Sequence, residues 1–135
     1  MANTQQPASR GTYLLALGYG VLFLIMLWAA YTGNLPIDAL NWIPNFDKFG
    51  HVILYCIASY LGHRVCQLRH LRPWQRPLFP TMFGLFTLAE EIFQGLSPNR
   101  TLDAIDLVCS FIGVVLGYWL AERHRPSAPS SDKLR

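Results

Sequence analysis

Charge is what this sequence has least of. Only 14% of its 135 residues are Asp, Glu, Lys or Arg, against about 25% in soluble domains, while 52% are hydrophobic. Both departures point toward a membrane. The length fits one domain. The formal net charge of +3 is small, its carriers sit in short clusters at the ends of apolar runs, and no basic and aromatic surface motif accompanies them. Nucleic acid is therefore excluded as a partner. Cysteine is also scarce: Cys56, Cys66 and Cys109 have no CxxC spacing and lie in or beside apolar runs, which makes them small packed hydrophobes and argues against disulfides and against zinc held by cysteine. No HExxH, Gly-rich phosphate loop or Ser-His-Asp ordering is present, so no motif names a reaction.

What is present is apolar length. No charged residue occurs between Arg10 and Asp38, and "YLLALGYGVLFLIMLWAAY" (Tyr13 to Tyr31) is long enough, at 1.5 Å per residue, to cross about 30 Å of hydrocarbon. A cleaved signal peptide fits poorly, because the apolar core is too long and bulky Trp28 would stand near the cleavage point after Ala30. Three further segments have spanning length once a few polar residues are admitted at one end: Phe46 to Val65, Leu78 to Leu96 and Asp103 to Ala121. Loop charge then orders them. Arg64, Arg69, Arg72 and Arg76 lie between the second and third, and Arg123, Arg125, Lys133 and Arg135 follow the fourth, which the positive-inside rule places on the cytoplasmic side. The expected fold is all-α: a polytopic four-transmembrane-helix bundle over residues 11–122 with both termini cytoplasmic. Residues 1–10 and 123–135 are expected to be disordered tails. Trp28, Tyr31, Trp42, Trp74, Tyr118 and Trp119 suit interfacial belts. A soluble helical bundle is the competing reading, but it has no reason to sort its charges this way.

This topology collects the polar residues at the outer face. Asp47, Lys48 and His51 begin the second span, Glu90, Glu91 and Gln94 end the third, Arg100 and Asp103 lie in the connection, and Asp106 opens the fourth. Asp47, His51 and Tyr55 are successive i, i+4 neighbours on one stripe, and Asp106, Ser110, Gly113 and Gly117 share a face that should pack inward. "GVVLG" is also a GxxxG, which permits close helix approach. Ionisable groups cost a few kcal/mol in a bilayer, so these should face one another or water. Expected pairings are Arg100 with Asp103 and Asp106, and Lys48 with Asp47 or the Glu90/Glu91 pair. Such a network reads either as a binding pocket or as a lock that holds the helices in register. Glu90 alone reads as facing the interface, and His63, His70 and His124, on the arginine side, as solvated basic groups.

"DKFGH" at Asp47 to His51, E-x-x-Q at Glu91 to Gln94, R-x-x-D-x-x-D at Arg100 to Asp106 and the following GxxxG together resemble the VanZ-like family of small bacterial membrane proteins. The resemblance covers Asp47 to about Leu120. It implies a multi-pass protein of the bacterial inner membrane and the cell envelope, and site residues at Asp47, Lys48, His51, Glu91, Gln94, Arg100, Asp103 and Asp106. The family's namesake is associated with low-level resistance to the glycopeptide teicoplanin, so antibiotic resistance enters by resemblance only. One departure is Ser110, where the family usually has Asn; serine lacks the amide's paired donor and acceptor.

Three functions then compete. In the first, Lys48, His51, Gln94, Arg100 and Ser110 bind an anionic lipid headgroup or lipid-linked precursor. In the second, Asp47, His51, Glu91, Asp103 and Asp106 supply the acid and base groups of an enzyme, or the ligands of a divalent metal, although no cofactor is required by any motif. The third is a proton or ion pathway. It is disfavoured because no ionisable residue is expected to continue it through the cytoplasmic half.

Overall fold

A computed structural model describes residues 7–35, 39, 42–66, 70–71, 76–98 and 101–125. Among the described residues the regular structure is helical apart from one short pairing: α1 (Arg10–Thr32), α2 (Phe46–Val65), α3 (Leu78–Gly95) and α4 (Ala104–Arg123), with strands β1 (His70–Leu71) and β2 (Arg76–Pro77) between α2 and α3. These two-residue strands pair antiparallel, His70 opposite Pro77.

Local chemistry sets the boundaries. Ser9 precedes α1 in extended conformation and its hydroxyl accepts the Thr12 N–H at 3.2 Å, while Gly33 ends the helix at φ 71°, a left-handed conformation that glycine adopts without strain. The ordered cap places the start of α1 inside the segment expected to be a disordered tail. Pro77 precedes α3, and Pro80 falls in its first turn, where the backbone N–H has no intrahelical partner to lose. Asp103 caps α4 by accepting the Ile105 N–H at 2.8 Å. The C-terminal segment from residue 126 onward lies outside the described residues, as do Arg69, Arg72 and Trp74.

The closest packing in the molecule joins α2 to α4. They run parallel, because α3 returns the chain between them, and paired contacts advance together: Lys48 with Asp106, His51 with Ser110, Ser59 with Val114 and His63 with Glu122. Glycine makes this possible. A Cβ on Gly113 would stand 2.5 Å from the Val52 carbonyl oxygen, and one on Gly117 would collide with the backbone at Cys56 and Tyr60. The buried residues of α4 are Asp106, Ser110, Gly113, Val114, Gly117 and Ala121, the face that the helical spacing selected. On the other side, α1 is pinned by the Tyr19 hydroxyl, which donates to the Leu54 carbonyl at 2.6 Å, and by Tyr31, which donates to the Glu90 carbonyl at 3.2 Å. Phe23 stands edge-on to Tyr55 and Phe83, with ring centroids 5.4 and 5.9 Å away.

The distribution of polarity is inverted relative to a protein folded in water. Among the described residues the buried hydrophobic side chains are Ala30, Tyr55, Val114 and Ala121, whereas Ser59, His63, Thr87, Glu90, Glu91, Gln94, Asp106 and Ser110 are all buried. Large apolar side chains such as Leu14, Leu24, Phe49, Leu85, Phe93 and Val115 lie on the outside. Two helices, α1 and α4, are long and apolar enough to cross a membrane by length and composition, and only 11% and 33% of their apolar windows are buried. A core helix of a soluble bundle would bury most of such a window.

Candidate functional site

One end of the bundle gathers the first turns of α2 and α4 and the last turns of α3. Five carboxylates, Asp47, Glu90, Glu91, Asp103 and Asp106, stand there formally against the single ammonium of Lys48 among the described residues. Arg100, expected to balance them, lies outside the described residues. Lys48 does not pair with Asp47 or with the glutamates, as the sequence suggested. Its Nζ lies 3.4 Å from Asp103 Oδ2 and 3.3 Å from Asp106 Oδ1. The parallel run of α2 and α4 brings Lys48 against the start of α4, a relation that sequence proximity could not convey.

The two glutamates divide the work of holding α3. Glu91 Oε1 accepts the Asp103 N–H at 3.1 Å, which ties the end of α3 to the residue before α4. Asp103 thus receives support at its backbone and gives it through its side chain. The Ile105 N–H, first, and the Lys48 ammonium hold its carboxyl below the usual carboxylate range. Glu90 is a correction: it is buried instead of facing an interface. Its Oε2 accepts the Tyr55 hydroxyl at 3.1 Å and its Oε1 accepts the Gln94 amide. Neighbouring residues on a helix point 100° apart, and the face that turns Glu91 toward Asp103 turns Glu90 toward α2 and α1.

His51 is the pivot. Its ring stacks on Tyr55, centroids 5.9 Å apart and planes 9° from parallel, and Nδ1 lies 2.9 Å from Ser110 Oγ. Nε2 points the other way, 3.8 Å from Asp47 Oδ1 and 4.0 Å from Asp106 Oδ2. One ligand atom from each of Asp47, His51 and Asp106 lies within 4.8 Å of the others, a grouping that could hold a metal ion. Gln94, Asp47, His51 and Tyr55 also reach the wall of a cavity of about 400 Å³, whose remaining lining is mostly apolar and includes Phe23, Met26 and Leu27 of α1. Polar chemistry and an apolar recess therefore adjoin.

The opposite end corrects a second expectation. His63 is not a solvated basic group but fully buried, with Nε2 2.8 Å from Glu122 Oε1. Tyr118 meets its ring edge-on at 5.2 Å, and Arg125 reaches the second oxygen of Glu122 at 2.5 Å. His124 is exposed, in keeping with the expectation, and the side chain of His70 is outside the described residues. Ionisable groups thus stand at both ends of the α2–α4 seam. The signal for His63 was present. It is the fifth member of the stripe Asp47, His51, Tyr55, Ser59, His63, at the spacing that singled out His51.

Comparison with family models, curated proteins and solved structures finds no match to this chain.

Proposed function

We propose that the chain is a four-span protein of the VanZ-like type in the bacterial inner membrane, with both termini cytoplasmic, that takes an anionic envelope lipid at the outer end of its bundle. The observation that carries the reading is the junction of the polar cluster with the apolar cavity between α1 and α2. A ligand that satisfies both has a polar head and a hydrocarbon body, since an apolar wall offers nothing to a free polar solute. The inverted burial supports the membrane setting: apolar side chains face outward where lipid would solvate them, and polar groups face one another. The described arginines Arg10, Arg64, Arg76, Arg123 and Arg125 belong to the end away from the cluster, which supports a cytoplasmic placement of that end. A second reading, an enzyme acting on the same headgroup, is favoured by the grouping of Asp47, His51 and Asp106.

Two experiments test this. A reporter fused after Arg135 is expected to be active only in the cytoplasm; activity outside overturns the topology. Native mass spectrometry of detergent-purified protein is expected to retain anionic lipid. Gly50→Leu is expected to release it, because Gly50 lines the cavity and a Cβ there meets open space. Equal lipid retention by the variant would remove the cavity from the reading.

A further inference from the structure

Five formal carboxylates crowd this end, with Lys48 the ammonium among the described residues and Arg100 nearby in the sequence. The hydrogen bonds around His51 define a gap among them. The Ser110 hydroxyl has one proton, and it donates it to the Asp106 carbonyl at 2.9 Å. With that proton on the carbonyl, the 2.9 Å contact between Ser110 Oγ and His51 Nδ1 is assigned Nδ1–H as its donor. In the neutral imidazole this leaves the Nε2 lone pair directed toward Asp47 and Asp106. Three electron-rich atoms then face a common gap, and their separations of 3.8 and 4.0 Å exceed the 2.7–3.2 Å of an N–H···O bond. A proton on Nε2 would bridge neither carboxylate well. A metal ion fits better: with bonds of about 2.0–2.1 Å, neighbouring ligands of a tetrahedral zinc stand roughly 3.3 Å apart, within small side-chain rotations of the distances here.

Two of the three ligands are also held from behind. Ser110 and the Tyr55 ring fix His51, and Lys48 occupies Asp106 Oδ1, leaving Oδ2 without a hydrogen-bond donor among the described residues. The Asp106 side chain is only 8% exposed, whereas Asp47 is 49% exposed, so the gap is closed at its floor and open at its rim. Outer partners of this kind set the tautomer and orientation of metal-binding histidines.

We propose that Asp47 Oδ, His51 Nε2 and Asp106 Oδ2 form a binding site for one divalent cation of the type that accepts both imidazole and carboxylate, zinc in the first place. Three protein ligands leave the ion a position open toward the rim. Its use for an anionic headgroup rests on the lipid reading above; the cation site itself does not.

The test uses full-length protein without a histidine tag, purified in detergent, stripped with chelator and titrated with zinc alone. One equivalent is expected to bind, and cobalt in its place is expected to give the visible absorption of a tetrahedral or five-coordinate nitrogen–oxygen site. Asp47→Asn and His51→Gln are expected to weaken zinc binding at least 10-fold, and Ser110→Ala by about 10- to 100-fold through loss of the outer partner. Should His51→Gln fail to fold, Asp47→Asn carries the test, because Asp47 lies at the exposed rim. The proposal is overturned by the absence of stoichiometric binding, or by binding that Asp47→Asn leaves unchanged. Displacement of zinc by equimolar magnesium would overturn the assignment of the metal. Gly50→Leu is expected to keep zinc while losing lipid, so failure of the lipid reading and failure of the metal site give different results.

Discussion

The two ends of the α2–α4 seam use the same chemistry to opposite effect. At each, a histidine of α2 meets a carboxylate of α4. His63 and Glu122 are in direct contact at 2.8 Å, His63 is fully buried, and Tyr118 and Arg125 complete the shell. His51 and Asp106 stand 4.0 Å apart, with Asp47 completing a gap that opens outward. A pair in direct contact can hold helices in register. A pair that fails to close has atoms available. The residue types match at the two ends; the distance between partners does not.

The largest expected effect tests the closed end. His63→Leu removes one partner of a buried pair and should destabilise the protein by about 3 kcal/mol in detergent unfolding. His51→Leu loses chiefly the bond to Ser110 and should cost about 1 kcal/mol. Equal losses would erase the contrast. Between the ends, Gly117→Ala pushes a methyl group into the α2 backbone and should cost about 2 kcal/mol. Because it wedges the seam, it should also weaken metal binding at the far end, read in the same zinc titration. Ser59→Ala removes a 2.8 Å bond to the Val114 carbonyl and should cost about 1 kcal/mol, with both ends intact. The smallest effect is a pH dependence at the open end. The Asp103 carboxyl is held below its ordinary range, so its contribution to stability is complete above the ordinary carboxylate pKa and is lost as pH falls through the depressed one. Asp103→Asn keeps the cap and should flatten the unfolding midpoint between pH 5 and pH 3, an order-of-magnitude window set by the ordinary Asp value of about 3.9.

Much of this was legible in the sequence because helices report their faces through spacing. The limits of α2 and the inward face Asp106, Ser110, Gly113 and Gly117 follow from apolar runs and the 100° step. What spacing cannot supply is the neighbour. Lys48 could be assigned to Asp47 on the same turn, and only the parallel packing of α2 on α4 shows that Asp103 and Asp106 are nearer. Glu90 and Glu91 are adjacent, so either could face inward; both do, toward different helices. His63 was hidden by its surroundings, since its neighbour Arg64 marks the segment as a charged helix end, and Glu122 lies just past the apolar run it belongs with.

The glycine notches of α4 have one more consequence. With Gly113 and Gly117 against the α2 backbone, the helices cannot slide, and the distance between the two histidine–carboxylate ends becomes a fixed length. From His51 to His63 is about 18 Å at 1.5 Å per residue, and from Asp106 to Glu122 about 24 Å. On the four-span reading this is shorter than the roughly 30 Å of an average hydrocarbon core. The protein should then be a gauge of bilayer thickness, most stable in short-chain lipid and thinning the membrane around it elsewhere. A thermal midpoint higher in bilayers of 14-carbon than of 18-carbon chains is the expected reading; no dependence on chain length would refute it.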